Sequence, residues 1–453
     1  MLFGVGYLNI GSLKEYNQLG IKLKKFQKRN ENNSSQSTKL NRISPLADFF
    51  KQESASGKLI VLASLAGLLV ANSPWGKSYF EILESTFSFP LSAFSFEMDL
   101  IHFVNDGLMT IFFFVVGLEI KRELVEGHLS TLKNAALPFF AAIGGMLVPA
   151  LIYLSIAGES YSSGWAIPVA TDIALAVGVL GLIGSKSISI LRPFLLGLAV
   201  IDDIGAILII AVFFSVGVNF SWLLAAGVLV LIVVLIKYLD IRFTTVYIFL
   251  GLILWLCLYK SGVHPTMAGV ILGLLAPAIP FISKEYVDTE ELVNLSSVDH
   301  VAKTKKIAKN SVSVVEWLLH QIHPWTAFLI VPLFAFANSG IVISSQSLQE
   351  ALNSPLAWAI FAGLVAGKPL GILAFSFVAI KTNVGALSGT VKWREIFATG
   401  SSAGIGFTVS IFIAKLAFTD PNLQNQAILS VLVASVFSGV LSLLLFKLGT
   451  SQK

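Results

Sequence analysis

The stretch Leu198–Ile209, L-A-V-I-D-D-I-G-A-I-L-I, sets two adjacent aspartates, Asp202 and Asp203, inside an apolar run from Phe194 to Val216 that carries no other charge. A run of that length crosses a bilayer, because about 20 residues at a rise of about 1.5 Å span the hydrocarbon core. A carboxylate at such depth costs about 2.5–3.5 kcal/mol on insertion scales, so a pair of them marks a working site. Neighbours on a helix point about 100° apart, so the two acids address different surroundings. One can face a water-filled cavity while the other faces a second helix. The competing reading is a helix end with both acids near water, and the apolar flanks on both sides oppose it.

The rest of the chain agrees with a membrane setting. Of 453 residues, 55% are hydrophobic and only 13% charged, and the mean hydropathy is +0.81. This composition excludes an ordinary soluble globule. The single cysteine, Cys257, lies in an apolar run and excludes a disulfide framework within the chain. Twelve candidate spans lie near 57–72, 99–120, 135–157, 165–184, 193–216, 221–236, 243–259, 263–282, 321–343, 355–379, 395–414 and 425–446. Ten of the 31 Lys and Arg precede the first span, taken to Lys58, whereas only Lys77, Lys260 and Lys415 fall on connections of the opposite side. That bias is the positive-inside signature and predicts that both termini are cytoplasmic. The net charge of +5 is therefore read as topology, not as nucleic-acid binding.

Residues 1–45 are polar and basic, with an Asn/Ser/Gln-rich patch at Asn30–Asn41, and read as a disordered cytoplasmic tail. Residues 46–450 read as the transmembrane domain. After the first span, Phe87–Met98 alternates as F-S-F-P-L-S-A-F-S-F-E-M, a period of two that predicts strands. The second span starts beside Asn105, Asp106 and Gly107 and ends as V-V-G-L-E-I-K-R-E-L, with Glu119 and Glu123 one turn apart on one face. Taken alone, that end reads equally as a solvated helix terminus. In the fourth span, W-A-I-P-V-A-T-D-I-A, Pro168 and the pair Thr171–Asp172 interrupt an otherwise apolar helix. In the eleventh, S-S-A-G-I-G-F-T-V-S-I-F, Gly404 and Gly406 favour a second break. Unwound backbone at membrane depth is tolerated only where protein or a cavity surrounds it. The two breaks occupy the middle of two three-span groups, spans 3–5 and 10–12, which insert upside down relative to each other. Such inverted repeats point to a binding site near the midplane.

Span 10 carries V-A-G-K-P-L-G-I, with Lys368 in mid-span. A lysine near a helix end snorkels to water, but a mid-span position calls for a buried anion, and the aspartates supply one. At the start of span 9, Glu316, His320 and His323 share one stripe at i, i+4 and i+7. A metal site could be built from them, but no further ligand with suitable spacing is visible, and a hydrated helix start is the competing reading. His264, in S-G-V-H-P-T, reads as a capping or packing residue.

Seven motifs, V-G-L-E-I-K-R-E-L, W-A-I-P-V-A-T-D-I-A, I-D-D-I-G-A-I, S-G-V-H-P-T-M-A-G-V, H-P-W with P-L-F-A-F-A-N, G-K-P-L-G-I and G-I-G-F-T-V-S-I-F-I-A, together resemble the NhaA family of sodium/proton antiporters. The resemblance runs in the family's order from about Asp48 to Phe446. It implies an all-α polytopic membrane protein of about twelve transmembrane helices, with inverted repeats and two broken, crossing helices. By this resemblance Asp203 is the main ion-binding carboxylate, and Asp202 is its neighbour that can pair with Lys368. Thr171 and Asp172 sit where the broken helices cross, with Asp172 offsetting the facing amino ends and Lys368 the facing carboxyl ends. Glu119, Glu123, His320 and His323 match cytoplasmic-funnel residues linked to pH response, and Asp106 matches an acid low in span 2. One position departs, since the funnel acid directly before the first histidine is Leu319 here; Glu316, one turn earlier, is the acid that can stand in. The amino-terminal tail is longer than the family needs, and the Phe87–Met98 segment corresponds to the family's dimer contact.

The expected function is exchange of cytoplasmic Na⁺, and Li⁺, for external H⁺ across a bacterial inner membrane. Desolvation favours the neutral carboxylic acid, which brings a buried aspartate to hold either a proton or a sodium ion near physiological pH. Competition at one site that faces alternate sides is antiport, and it needs no covalent step, no enzyme activity, no cofactor and no ATP. Two other classes compete. An intramembrane aspartyl protease would use Asp172 and Asp203 around one water and leaves Lys368 without a role. A passive cation channel would need repeated filter acids, which the sequence lacks.

Overall fold

Backbone in lipid must satisfy its polar groups within its own segment, and the apolar runs accordingly become helices. The computed structural model describes residues 45–91, 94–183, 188–215, 217–239, 244–278, 312–386 and 391–450. The predicted tail to residue 44 and most of the connection after the eighth span, 279–311, lie outside the described residues. The chain divides into two units, 1–51 and 52–453; of the first, only the opening turns of one helix are described.

That helix is α1 (Pro45–Ala71), whose part Ala55–Ala71 is bent by 113° from α2 (Gly76–Leu83). The bend is held by Asn72, whose side-chain amide donates to Leu68 O at 2.8 Å and to Ile341 O at 2.7 Å. A two-stranded antiparallel hairpin follows, β1 (Thr86–Leu91) with β2 (Phe94–Asp99), in a register that sets Phe87 opposite Met98. The alternating stretch is therefore a hairpin. Asp99 ends it and caps the next helix, accepting from His102 N at 2.8 Å.

The long helices are α3 (Leu100–Val125), α4 (Leu132–Ala157), α6 (Ile188–Phe213), α7 (Phe220–Tyr238), α10 (Val314–Asn338), α12 (Pro355–Lys381) and α15 (Pro421–Thr450). The α5 helix (Ile173–Gly181) continues a 3-10 segment, Glu159–Val169. Shorter pieces are α8 (Thr244–Ser261), α9 (Met267–Leu275) and α11 (Ser345–Asn353). The last break separates α13 (Trp393–Ala403) from α14 (Phe407–Ala417).

Among the described residues, seven helices are long and apolar enough to cross a membrane, and ten when each bent pair counts as one span. The expected count of twelve is not reached on length and composition. The shortfall lies at α8 and α9. The latter stops at Leu275 because Pro277 forces the residue before it into extended backbone, and Ala276 has ψ 141°.

The two groups of three are visible as α4, the 3-10/α5 pair and α6, against α12, the α13/α14 pair and α15. Both broken pairs bend by the same 51°. The groups meet where α4 packs on α12. A Cβ on Gly144 would strike the backbone of Gly371, and one on Gly371 would strike Gly144, so the two helices approach closely at small residues.

Candidate functional site

The site begins with the two interruptions. Pro168 closes the 3-10 segment, and Ala170 (ψ 150°) and Asp172 (ψ 101°) are extended before α5 restarts. On the other strand of the crossing, Gly404 must be small, because a Cβ there would meet Leu364 O and lie 2.9 Å from Ser438 Oγ. Unwinding frees backbone groups that lipid cannot satisfy, and the two breaks satisfy each other. Asp172 N donates to Ile405 O at 2.7 Å, Thr171 Oγ1 to Ala403 O at 2.9 Å, and Ser410 Oγ to Ile167 O at 2.7 Å.

Half-helix ends at the crossing carry about half a charge each. Asp172, only 4% exposed, answers two amino ends at once. Its Oδ1 accepts from Leu175 N of α5 at 3.1 Å, and its Oδ2 accepts from Thr408 N at 3.2 Å and Thr408 Oγ1 at 2.6 Å, at the start of α14. Phe407 N, one residue earlier, donates to Ser435 Oγ of α15 at 3.2 Å. The opposite sign is met by Lys368, whose exposure is 0%. Its ammonium donates to Val169 O, the carboxyl end of the 3-10 half, and to Asp202 Oδ2 at 2.7 Å. Lys368 is thus fully buried and paired, as its mid-span position predicts.

Asp202 and Asp203 diverge as adjacent helical residues must. Asp202 is 1% exposed and bound to Lys368 through one oxygen, while its Oδ1 is buried without a hydrogen-bond partner among the described residues. Asp203 keeps 9% exposure, the most of the buried acids, and no hydrogen bond or ion pair holds it among the described residues. The charges of Asp202, Glu119, Lys368 and Asp172 all act on it. One carboxylate is held by a buried cation, and the other has no such partner among the described residues.

The candidate funnel residues are brought together in part. Glu119 Oε1 of α3 lies 3.7 Å from His323 Nε2 of α10. Glu316 and His320 are exposed at the start of α10, and the stripe reaches α3 only at its third member. Leu319 is buried against Val115 and Leu118. Glu123 lies a turn beyond Glu119, partly buried. Toward the other end of α3, Asp106 sits in a π-helical turn, Phe103–Leu108, with its Oδ1 3.5 Å from His264 Nε2. His264 therefore does more than cap or pack: its Nδ1 also meets Thr266 Oγ1 at 2.8 Å, and its ring stands edge-on to Phe412. The sequence reading did not single out Thr408, Ser410 or Ser435. Thr408 and Ser410 lie in the quoted G-I-G-F-T-V-S, where polar residues just after two helix-breaking glycines were the available signal. Among the described residues no group of three or more His, Cys, Asp or Glu is placed to hold a metal ion.

Two broken helices crossing inside a multi-pass helical protein, with buried acids and a buried lysine at the crossing, define a membrane-transporter architecture. The family model described as Na⁺/H⁺ antiporter 1 matches residues 47–446. The chain belongs to this family, the NhaA antiporters. It is 42% identical over 416 residues to Na(+)/H(+) antiporter NhaA 2 of Myxococcus xanthus, covering 88% of each chain. It is 38% identical to Na(+)/H(+) antiporter NhaA 2 of Clostridium beijerinckii, covering 89% of this chain and 94% of the relative. Identity to Na(+)/H(+) antiporter NhaA of Janthinobacterium sp. is 42% over 417 residues, covering 88% of this chain and 92% of the relative.

Proposed function

We propose that this protein exchanges cytoplasmic Na⁺ or Li⁺ for external H⁺, driven by the proton gradient, at a site centred on Asp203. The observation that carries the reading is the contrast at the crossing: Asp202, Asp172 and Lys368 are committed to fixed partners, while Asp203 is not. An oxygen donor without a fixed partner takes a proton or a small hard cation, and the two exclude each other. Asp203 is the shared site. Asp202 and Lys368 flank it, the pair supplies the second titrating group that makes exchange electrogenic, and Thr171 and Asp172 maintain the crossing. Transport needs no cofactor; Na⁺ and H⁺ are the substrates.

The cytoplasmic mouth, with Glu119, Glu123, Glu316, His320 and His323, is the proposed seat of pH control, and Asp106, toward the other end of α3, is a further candidate for the pH response. Histidine is the side chain whose charge ordinarily changes near physiological pH. Loss of its proton as the cytoplasm becomes alkaline weakens the Glu119–His323 attraction and opens the funnel. The protein lies in a bacterial inner membrane with both termini cytoplasmic, residues 46–450 forming the transport domain behind a basic tail. It assembles as a homodimer through Phe87–Met98, since an unpaired strand edge of a hairpin adds a second copy readily.

Purified protein in sealed vesicles tests the reading. Addition of Na⁺ or Li⁺ should discharge an imposed proton gradient, whereas K⁺ should not. Cation flux without proton movement would establish a channel, and cleavage of a membrane peptide without flux would establish a protease; either overturns the proposal.

A further inference from the structure

The crossing assigns a role to a residue beyond the charged set. We propose that Thr408 is a positioning residue of the exchange site: its hydroxyl fixes the Asp172 carboxylate across the two amino ends, which leaves Asp203 as the carboxylate available to the ion. This rests on the exchange reading given above.

Asp172 is 4% exposed, so its charge survives only if its oxygens are well supplied with donors. Two of the donors are backbone amides, Leu175 N at 3.1 Å and Thr408 N at 3.2 Å, both long for a charge-assisted bond. The Thr408 hydroxyl at 2.6 Å is the shortest of these three. It is also a donor whose removal leaves the backbone in place. Thr408 is itself 3% exposed, so its hydroxyl lies away from the molecular surface. Thr171, whose hydroxyl is directed to Ala403 O, is occupied elsewhere.

Without the hydroxyl, Asp172 holds its charge less well and offsets less of the positive potential of the α5 and α14 amino ends. That potential then acts on a cation arriving at Asp203, on which the charge of Asp172 bears. The cost therefore falls on cation affinity.

The experiment compares Thr408→Val, which keeps the side-chain shape, with Thr408→Ser, which keeps the hydroxyl, in proteoliposomes. Thr408→Val should raise the apparent KM for Na⁺ by about tenfold, the scale of one hydrogen bond to a charged group, while the maximal rate stays within about twofold. Thr408→Ser should restore the wild-type KM. In an Asp172→Asn background, Thr408→Val should add no further change. An unchanged KM in Thr408→Val, a serine variant that behaves like valine, or an equal effect in the Asp172→Asn background would overturn the proposal. If Thr408→Val does not insert, Thr408→Ala enters the same comparison. A thermal-stability cycle between positions 408 and 172 runs in parallel. It reports non-additivity if the two residues are coupled and additivity if they are not. Should wild-type protein move no protons with Na⁺, the exchange reading fails while this cycle still decides the Thr408–Asp172 link.

Discussion

Replacing Lys368 by alanine tests the centre of the site most directly. The ammonium is wholly buried, 2.7 Å from Asp202 Oδ2, and also serves the carbonyl of Val169. Its loss leaves a carboxylate that is 1% exposed, with its other oxygen already unpartnered, and removes the cation from a helix carboxyl end. Breaking a buried pair from one side costs about 3–5 kcal/mol. The long aliphatic stem adds a cavity on top of that cost, since Lys368 is among the largest fully buried side chains. Thermal unfolding in detergent, followed by the fluorescence of native tryptophans, should drop by several degrees. The combination Lys368→Gln with Asp202→Asn exchanges the ion pair for a neutral amide pair, and it should recover part of the loss. Measuring both variants separates charge from volume. A melting temperature unchanged in Lys368→Ala would refute the buried pair, and a double variant no more stable than the alanine variant would refute charge imbalance as the cause.

Asp203→Asn should abolish Na⁺-driven proton movement in vesicles while leaving insertion and melting temperature near wild type, because no fixed partner depends on its charge. Deleting Phe87–Met98 should convert dimers to monomers by light scattering, with exchange retained. His323→Gln should displace the pH profile of exchange, since it removes the partner of Glu119 at 3.7 Å, and Glu316→Gln should displace it less, because Glu316 lies at the exposed start of α10.

Much of the candidate site's geometry was legible in the sequence because membrane insertion penalises charge and irregular backbone. Asp202, Asp203 and Lys368 stood out as charges in apolar runs, and Pro168, Gly404 and Gly406 marked the breaks. What remained hidden depended on three-dimensional meeting. The pairing of Asp106 with His264 joins segments far apart in the chain, and neither residue carries a spacing signal toward the other. The stripe Glu316–His320–His323 was correctly one face, yet only its deepest member reaches α3, because the first two lie at the exposed start of the helix. Hydropathy reads twelve spans, whereas the length and apolarity of the described helices alone give seven to ten, and the difference falls at the short helices α8 and α9, the latter ended by Pro277.

The arrangement of charges explains why broken helices suit competitive exchange. A continuous helix places its dipole ends at the membrane surface, where water screens them, but two broken helices bring four ends into the protein. Each sign then needs a fixed counter-charge, and Asp172 and Lys368 supply them within hydrogen-bond reach of the ends. Once those ends are answered, the balance at the centre rests on Asp202 and Asp203. A buried ion pair is nearly balanced as a whole, its Coulomb gain offsetting desolvation, though costly to break from one side. In the proposed exchange, Asp202 and Lys368 stay together until a proton or cation changes the charge beside them. Asp203 sits at that place, with the most exposure of the buried acids and no competing bond among the described residues. On the proposed reading, an ion at Asp203 would act on the neighbouring pair through charge alone and so couple ion occupancy to the crossing without any covalent step.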